Sequence, residues 1–415
     1  MKRSLNCSNP RTDENPMTDR DTDMATRLIH HDYQPPAGFE APQPGVFKAS
    51  TVMFPNVAAM RARNWKEKAG YTYGLHGTPT TFTLEERIAT LEGGQHTLLV
   101  PSGLASIALT DIALLRTGDE VLIPDNAYNP NKDLARHELA GWGITHRFYD
   151  PMDANALAAS VTPQTKLVWI EPPGSVTMEF PDVPNLVRAA RSKGALVALD
   201  NTWGAGLAFN PFALEGGGDG ALGVDVSAHA LTKYPSGGGD VLMGSVTTRD
   251  ATLHLRLNAA HMRMGWGVGA NDAEAVLRGL PSMALRYDAG DRAGRALAQW
   301  WAQRPEVSHV LHPAFSGSPG HAHWQALCTK AAGLFSVVFD ARYGTHQVDA
   351  FVDALALFKI GFSWAGPVSL VVPYDLSTMR KQAPWRGTLV RFSLGLEAVD
   401  DLIADSQQAL AALDC

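Results

Sequence analysis

Short apolar runs alternate with helix-like segments through the middle of this sequence, and this alternation limits the possible folds more than any other feature. Strands that alternate with helices predict βαβ units and a largely parallel sheet. We therefore predict an α/β fold with helices flanking a mostly parallel central sheet. The strand-like runs are Thr97–Pro101, Glu120–Pro124, Thr145–Tyr149, Lys166–Glu171, Gly194–Trp203 and Val226–Lys233.

The pattern changes around residue 280. A helical stretch runs from near Asp272 to about Arg304, and Pro281 inside it predicts a break or a kink. Shorter strands and helices alternate again beyond it, which predicts a smaller α+β domain. The 415 residues, 45% of them hydrophobic, are enough for two domains. The predicted parts are a disordered tail over 1–23, an N-terminal arm over 24–78, a large domain over 79–279 and a small C-terminal domain over 280–415.

One apolar run ends in Thr232-Lys233, and a loop of Pro, Ser and three Gly follows it. Burial disfavours the charged form of a lysine, so desolvation lowers its pKa and leaves an amine that can form a Schiff base. An exposed lysine at a strand end is an equally open interpretation of this segment alone.

A second strand-like run ends in Asp200. The carboxyl ends of parallel strands meet at one crevice, so we expect Asp200 and Lys233 to face the same space. Pyridoxal phosphate needs such a pair: a lysine to bind its aldehyde and an acid to keep its pyridine nitrogen protonated. The alternative for Asp200 is a helix N-cap after a strand.

Two other strand ends carry candidate residues. Ser102-Gly103-Leu104 lies between a strand and a helix, where backbone N–H groups can bind a phosphate, although such a turn also serves plain strand–helix packing. Tyr128 follows the next strand and is able to stack on a cofactor ring. A half-buried surface tyrosine is the alternative.

Arg391 lies inside an otherwise apolar strand near the C-terminus. A buried arginine is unfavourable unless it is paired, and a substrate carboxylate pairs with it through two hydrogen bonds. A structural ion pair to Asp or Glu is the alternative.

The composition argues against several classes of protein. A net charge of −7 without a dense basic run argues against nucleic-acid binding. The 14 histidines show no metal-ligand spacing, so we predict no metal site. Three widely separated cysteines and no secretory signal or apolar span predict a cytoplasmic protein without a membrane partner.

Taken together, these motifs resemble the pyridoxal-phosphate enzymes of Cys/Met metabolism, which have the aspartate-aminotransferase fold (fold type I) and a smaller C-terminal domain. The likeness runs from about residue 25 to the C-terminus and is greatest for bacterial cystathionine β-lyases. The motifs that carry it are Tyr73-Gly74, Ser102-Gly103-Leu104-Ala105, Asn126-Ala127-Tyr128, Glu171-Pro172, Asp200-Asn201-Thr202, Thr232-Lys233-Tyr234, Ser363-Trp364 and Arg391.

The resemblance implies a role for each residue that binds the cofactor ring. Lys233 matches the lysine that forms the Schiff base and moves protons in the reaction. Asp200 matches the partner of the pyridine nitrogen. Tyr128 matches the tyrosine that stacks on the ring and takes part in catalysis.

Other matches concern the cofactor phosphate. Ser102, Gly103 and Leu104 match the turn whose backbone amides bind it, and Thr232 matches a hydroxyl donor to it. Tyr73 matches a tyrosine that reaches the phosphate bound by the neighbouring subunit, where it is counted among the catalytic residues. The resemblance thus implies a homodimer as the smallest active unit and a homotetramer as the assembly.

A third group of residues matches those that bind the substrate in this family. Arg391 matches the residue that binds the substrate α-carboxylate, Ser363 a contact beside it, and Trp364 a residue of the β-acting members. The family usually has an arginine at the position of Leu75, which His76 follows here.

The activity implied is α,β-elimination of cystathionine, or of related cysteine S-conjugates, to a thiol, pyruvate and ammonia. The alternatives are a γ-acting relative (methionine or cystathionine γ-lyase, or cystathionine γ-synthase) and a non-catalytic protein that binds pyridoxal phosphate or another metabolite.

Overall fold

The structure is a computed structural model that describes residues 23–29, 42–66, 68, 70–216, 220–376 and 384–414. The predicted disordered tail lies outside these residues, except for Asp23. Within the described chain, no helix combines the length and apolarity that a membrane span requires.

The large sheet has seven strands in the order β1-β7-β6-β5-β4-β2-β3. Six strands run parallel, and β7 pairs antiparallel with both of its neighbours. Most of its residues are buried on both faces, as expected for a parallel sheet covered by helices. The strands are β1 (His96–Val100), β2 (Glu120–Pro124), β3 (Thr145–Tyr149), β4 (Thr165–Ile170), β5 (Leu196–Asp200), β6 (Val226–His229) and β7 (Gly244–Thr248).

Helices cover this sheet, so the predicted mostly parallel α/β fold is confirmed. Two short helices, α1 (Met24–Ile29) and α2 (Val57–Arg61), precede the sheet. The others are α3 (Pro79–Glu92), α4 (Gly103–Leu114), α5 (Asn129–Leu134, continued by a π-helical turn Ala135–Leu139), α6 (Ala154–Ser160), α7 (Val183–Arg191) and α8 (Ala251–Met264).

A second sheet of five strands, ordered β10-β11-β12-β9-β8, forms the C-terminal part. It packs with its helices around a separate hydrophobic core that includes Trp301, Phe335 and Phe392. Its elements are β8 (Val307–Leu311), α10 (His321–Leu327), β9 (Leu334–Phe339), α11 (Thr345–Asp353), β10 (Lys359–Ile360), β11 (Leu370–Tyr374), β12 (Leu389–Ser393) and α12 (Val399–Ala409).

Helix α9 (Ala270–Trp301) connects the two sheets as one helix, so of the break or kink predicted at Pro281 the break is wrong and the kink stays a prediction. Leu280 and Met283, on either side of the proline, are completely buried in the core of the large sheet. Trp301, at the far end, is buried in the other core. This packing outweighs the one hydrogen bond that a proline removes. The predicted domain boundary at 280 falls within this helix and stays a prediction.

Candidate active site

A cavity of about 480 Å³ lies where the carboxyl ends of the parallel strands face the small sheet. Its volume is in the range of small-molecule sites, roughly 300–1,000 Å³. All but one of the predicted site residues line it; they are Ser102, Gly103, Leu104, Tyr128, Asp200, Thr232, Lys233, Ser363, Trp364 and Arg391.

Lys233 lies in the turn that follows β6, and its amine points into the cavity. The Nζ atom donates a hydrogen bond to Ser363 Oγ at 2.8 Å and lies 5.5 Å from the centre of the Trp364 ring. Burial, with the Arg391 charge, lowers the pKa of Lys233 to about 8. An amine with this pKa is partly unprotonated near neutral pH, which a nucleophile or proton carrier requires.

Tyr234 fixes the position of this turn. Its hydroxyl accepts a hydrogen bond of 3.0 Å from the backbone N–H of Gly333, just before β9. Its ring packs on Tyr287 of α9, with ring centroids 4.6 Å apart. The residue after the lysine therefore ties the turn to both the connecting helix and the small sheet.

Asp200 ends β5 and lines the same cavity as Lys233. Its Oδ1 accepts a hydrogen bond from Thr202 N at 3.0 Å, so the side chain caps a turn and not the N-terminus of a helix, as the alternative had it. Burial raises the pKa of Asp200 above its ordinary value, although the bonds from Thr202 oppose that rise. A cation beside this carboxylate would favour its charged form.

Tyr128 is held by Glu171, a residue for which the sequence analysis predicts no role. The Tyr128 N–H donates to Glu171 Oε2 at 2.8 Å, and Glu171 ends the strand run next to that of Asp200. Burial, with the nearby Asp200 charge, raises the pKa of Glu171 well above its ordinary value. The rule that found Asp200, a carboxylate at a parallel strand end, applies equally to Glu171.

Ser102 caps α4, and its Oγ accepts a hydrogen bond from Ala105 N at 3.0 Å. A Cβ at Gly103 would lie 2.5 Å from Ala230 Cβ, so glycine lets the helix start approach the lysine turn. The Thr232 hydroxyl accepts a hydrogen bond from Met243 N at 3.1 Å and donates one to the Met243 carbonyl oxygen at 3.2 Å. The turn before α4 thus serves close strand–helix packing and also lines the cavity.

Arg391 is on β12, and the residue is 9% exposed. Its Nη2 lies 3.5 Å from the Ser363 carbonyl oxygen, and its Cζ lies 5.4 Å from the centre of the Tyr374 ring. Among the described residues it forms no ion pair, so the structural salt bridge considered above is absent there. A buried guanidinium that faces a cavity is suited to an anionic ligand.

Tyr73 is the predicted residue that does not reach this cavity. It is 46% exposed beside the one-turn 3-10 helix Gly74–His76. Leu75 and His76 line a separate, smaller pocket, where His76 Nδ1 lies 2.5 Å from Thr72 Oγ1. The role of Tyr73 at a neighbouring subunit stays a prediction.

A loop after β4 contributes residues that the sequence did not identify. Val176 and Met178 line the cavity with backbone φ angles of 68° and 56°. This left-handed region is unfavourable for a β-branched residue. A buried Glu179 carboxylate holds the loop, accepting hydrogen bonds from Asn126 Nδ2 at 2.7 Å and Thr177 Oγ1 at 3.0 Å.

The donor set fits pyridoxal phosphate. A single cavity contains a lysine amine with a lowered pKa, a strand-end carboxylate, an aromatic side chain and the N-terminus of the 12-residue helix α4. These match the aldehyde, the ring nitrogen, the ring face and the phosphate of that cofactor. The fold and the site thus define a fold-type-I enzyme that depends on pyridoxal phosphate.

The chain belongs to the Cys/Met metabolism PLP-dependent enzyme family, whose model matches residues 25–411. It is similar to cystathionine β-lyase MetC of Escherichia coli, with 36% identity over 88% of this chain and 92% of the relative. It is also similar to L-methionine γ-lyase of Pseudomonas putida, with 33% identity over 94% of this chain and 97% of the relative.

Among solved structures, metB from Corynebacterium glutamicum superposes with a TM-score of 0.85 and 26% identity, over 95% of this chain and 99% of that one. The family, the fold and the pyridoxal-phosphate dependence predicted from the sequence are therefore confirmed. Both β- and γ-acting lyases occur among the relatives, and so does a racemase, so the comparisons show the family and not the specific reaction.

Proposed function

We propose that this enzyme breaks the Cβ–S bond of cystathionine or a related cysteine S-conjugate and releases a thiol, pyruvate and ammonia. One observation carries the proposal: the Lys233 amine donates a hydrogen bond to Ser363 Oγ and shares one cavity with Arg391 and Asp200. Similarity to cystathionine β-lyases over most of the chain supports the β-specific reaction.

Different residues of the cavity would hold different parts of the cofactor. Lys233 would bind the aldehyde, Asp200 the ring nitrogen and Tyr128 the ring face, while Ser102, Gly103, Leu104 and Thr232 line the phosphate end. When bound, pyridoxal phosphate supplies an electron sink for the bond broken at the substrate Cα.

The chain's own residues orient the substrate and move its proton. Arg391 binds the α-carboxylate, and Ser363 lies between that carboxylate and the lysine. Lys233 Nζ takes the proton from Cα and returns a proton to the sulfur as the Cβ–S bond breaks. The aminoacrylate that remains takes up water to give pyruvate and ammonia.

The γ-acting alternative is kept because the chain is similar to a methionine γ-lyase. Such an enzyme would produce 2-oxobutanoate in place of pyruvate. We further propose that the enzyme is cytoplasmic and acts as a homodimer within a homotetramer. The exposed Tyr73 would then contact the phosphate bound by the other subunit.

The test is a visible spectrum of the purified protein, followed by product analysis with L-cystathionine. We expect the absorbance of lysine-bound pyridoxal phosphate and formation of pyruvate. The variant Lys233→Ala should lose both, whereas the exposed Lys166→Ala should keep both. 2-Oxobutanoate as the main product would support the γ-acting alternative, and a colourless protein that does not convert cystathionine would support non-catalytic binding.

A further inference from the structure

Strands β5 and β6 lie side by side in the large sheet and lead to two residues of the cofactor site. Asp200 is the last residue of β5, and His229 is the last residue of β6, four positions before Lys233. Asp200 is in register with Ala228. Both segments turn directly after these residues, so strand pairing alone does not set the distance between Asp200 and Lys233.

A buried carboxylate from outside the sheet joins the two strand ends. Glu92, the last residue of α3, accepts a hydrogen bond from Nδ2 of Asn201, the residue after Asp200, at 2.9 Å. On β6 it accepts one from Ser227 Oγ at 2.7 Å, and its Oε1 lies 2.7 Å from His229 Nδ1. The four side chains that meet here are all buried, so this connection is complete within one chain and is shielded from water.

Glu92 also determines which nitrogen of His229 carries the proton. An ionised carboxylate only accepts hydrogen bonds, so His229 Nδ1 donates to it. The other nitrogen, Nε2, is buried and has no hydrogen-bond partner in the part of the chain that the structure describes. An amide at position 92 would offer a donor to Nδ1 instead. The variant Glu92→Gln therefore keeps the shape of the side chain and disturbs its bond to His229.

Both partners of this bond lie within electrostatic reach of Asp200. Burial is the largest cause of the raised pKa of Asp200, and hydrogen bonds from Thr202 oppose it. The charge of His229 also lowers this pKa, and the charge of Glu92 raises it. The acid expected to hold the pyridine nitrogen therefore responds to how Glu92 and His229 are placed.

We propose that Glu92 is a positioning residue of the cofactor site. Through its bonds to both strand ends it fixes the distance between Asp200 and Lys233. Glu92 does not line the cavity, so it acts through its neighbours and not on the cofactor directly. This inference concerns cofactor binding, goes beyond the proposed C–S lyase reaction and holds whichever bond of the substrate is broken.

Asp405 on α12 provides a matched control. Its buried carboxylate also accepts three hydrogen bonds, from the backbone N–H groups of residues 356, 357 and 358, but it does not line the cavity. Glu92→Gln and Asp405→Asn should both lower the stability of the full-length apoprotein in denaturant unfolding, because each leaves buried donors without an acceptor.

Only Glu92→Gln should weaken cofactor binding. We expect its dissociation constant for pyridoxal phosphate, measured by titration of the visible absorbance, to rise roughly fivefold or more, since the site is no longer preorganised. The wavelength of the absorbance maximum should shift as well, because it reports whether the ring nitrogen keeps its acid. Loss of stability alone would not cause that shift, and neither measurement uses a lyase substrate.

Wild-type affinity and absorbance maximum in Glu92→Gln, or equal changes in Glu92→Gln and Asp405→Asn, would overturn the positioning role. If Glu92→Gln does not fold, Asn201→Ala takes its place, since it removes the link between Glu92 and the residue beside Asp200. A similar rise in its dissociation constant would support the proposal, and wild-type affinity would overturn it.

Discussion

Lys233 Nζ and Ser363 Oγ lie 2.8 Å apart, although 130 residues separate them in the chain. The lysine follows a strand of the large sheet, and the serine lies beside the small sheet just before β11. Arg391 reaches the carbonyl of the same serine. The distance between the Lys233 amine and the Arg391 guanidinium is therefore set by how the two sheets pack together.

The pH dependence of pyridoxal phosphate binding tests the protonation state of the Lys233 amine. Burial, with Arg391, lowers the pKa of Lys233 from 10.5 to about 8. Only the unprotonated amine reacts with an aldehyde, so the rate constant for pyridoxal phosphate capture by the apoprotein should rise up to about pH 8 and then level off. Stopped-flow absorbance measures it, and Lys233→Ala gives the baseline. A rate constant that still rises at pH 10 would contradict the lowered pKa.

Arg391→Ala should reduce kcat/KM mainly by raising KM. Loss of one partner of a desolvated charge pair is worth about 2–5 kcal/mol, or a factor of about 30 to several thousand. Steady-state kinetics measure the effect, and the visible spectrum should persist because Arg391 is not assigned to the cofactor. Arg391→Lys keeps the charge but lacks the planar guanidinium that binds a carboxylate through two hydrogen bonds. It should therefore recover only part of the lost kcat/KM. Unchanged kinetics in the alanine variant would remove Arg391 from the site.

Glu92 anchors the strand ends beneath the site, and its removal should destabilise the fold. Its completely buried carboxylate accepts hydrogen bonds from Asn201 Nδ2 (2.9 Å) and Ser227 Oγ (2.7 Å), and lies 2.7 Å from His229 Nδ1. Glu92→Ala leaves three buried polar groups without this acceptor and should lower the free energy of unfolding by about 3–5 kcal/mol. Denaturant unfolding measures it. The exposed Glu138→Ala should change stability by less than about 0.5 kcal/mol, and an equal effect of both would refute the anchoring role.

Gly103→Ala should weaken cofactor binding. The added Cβ would lie 2.5 Å from Ala230 Cβ, so the start of α4 must move away from the lysine turn. Overpacking of this kind costs about 1–3 kcal/mol, and we expect the dissociation constant for pyridoxal phosphate to rise about tenfold. A Cβ at Gly141 would meet nothing within 4 Å, so Gly141→Ala is the matched control. Wild-type affinity in the Gly103 variant would show that the helix start is not part of the cofactor site.

The sequence predicted the part of the site that follows from strand direction. Asp200 ends β5 and Lys233 follows β6 of the same parallel sheet, so their convergence required only the βαβ pattern. Arg391 was found because a charge in an apolar strand needs a partner. Glu171 obeys the same strand-end rule and was within reach of sequence reasoning.

The remaining features depend on contacts between distant segments. The left-handed backbone at Val176 contradicts local preference and is held by residues such as Asn126, about 50 positions earlier. Phe362 reaches the cavity only because the small sheet packs against the large one. Pro281 was predicted to break a helix because its local penalty is visible in the sequence, whereas the two cores that hold α9 together are not.

The uninterrupted course of α9 also decides how this enzyme can be divided in the laboratory. A fragment that stops near residue 280 would lose the second half of a helix whose ends lie in different cores. The complementary fragment would expose Met283 and Tyr287 to water. Separately expressed halves are therefore expected to aggregate, and chimaeras with relatives should exchange all of α9 or none of it.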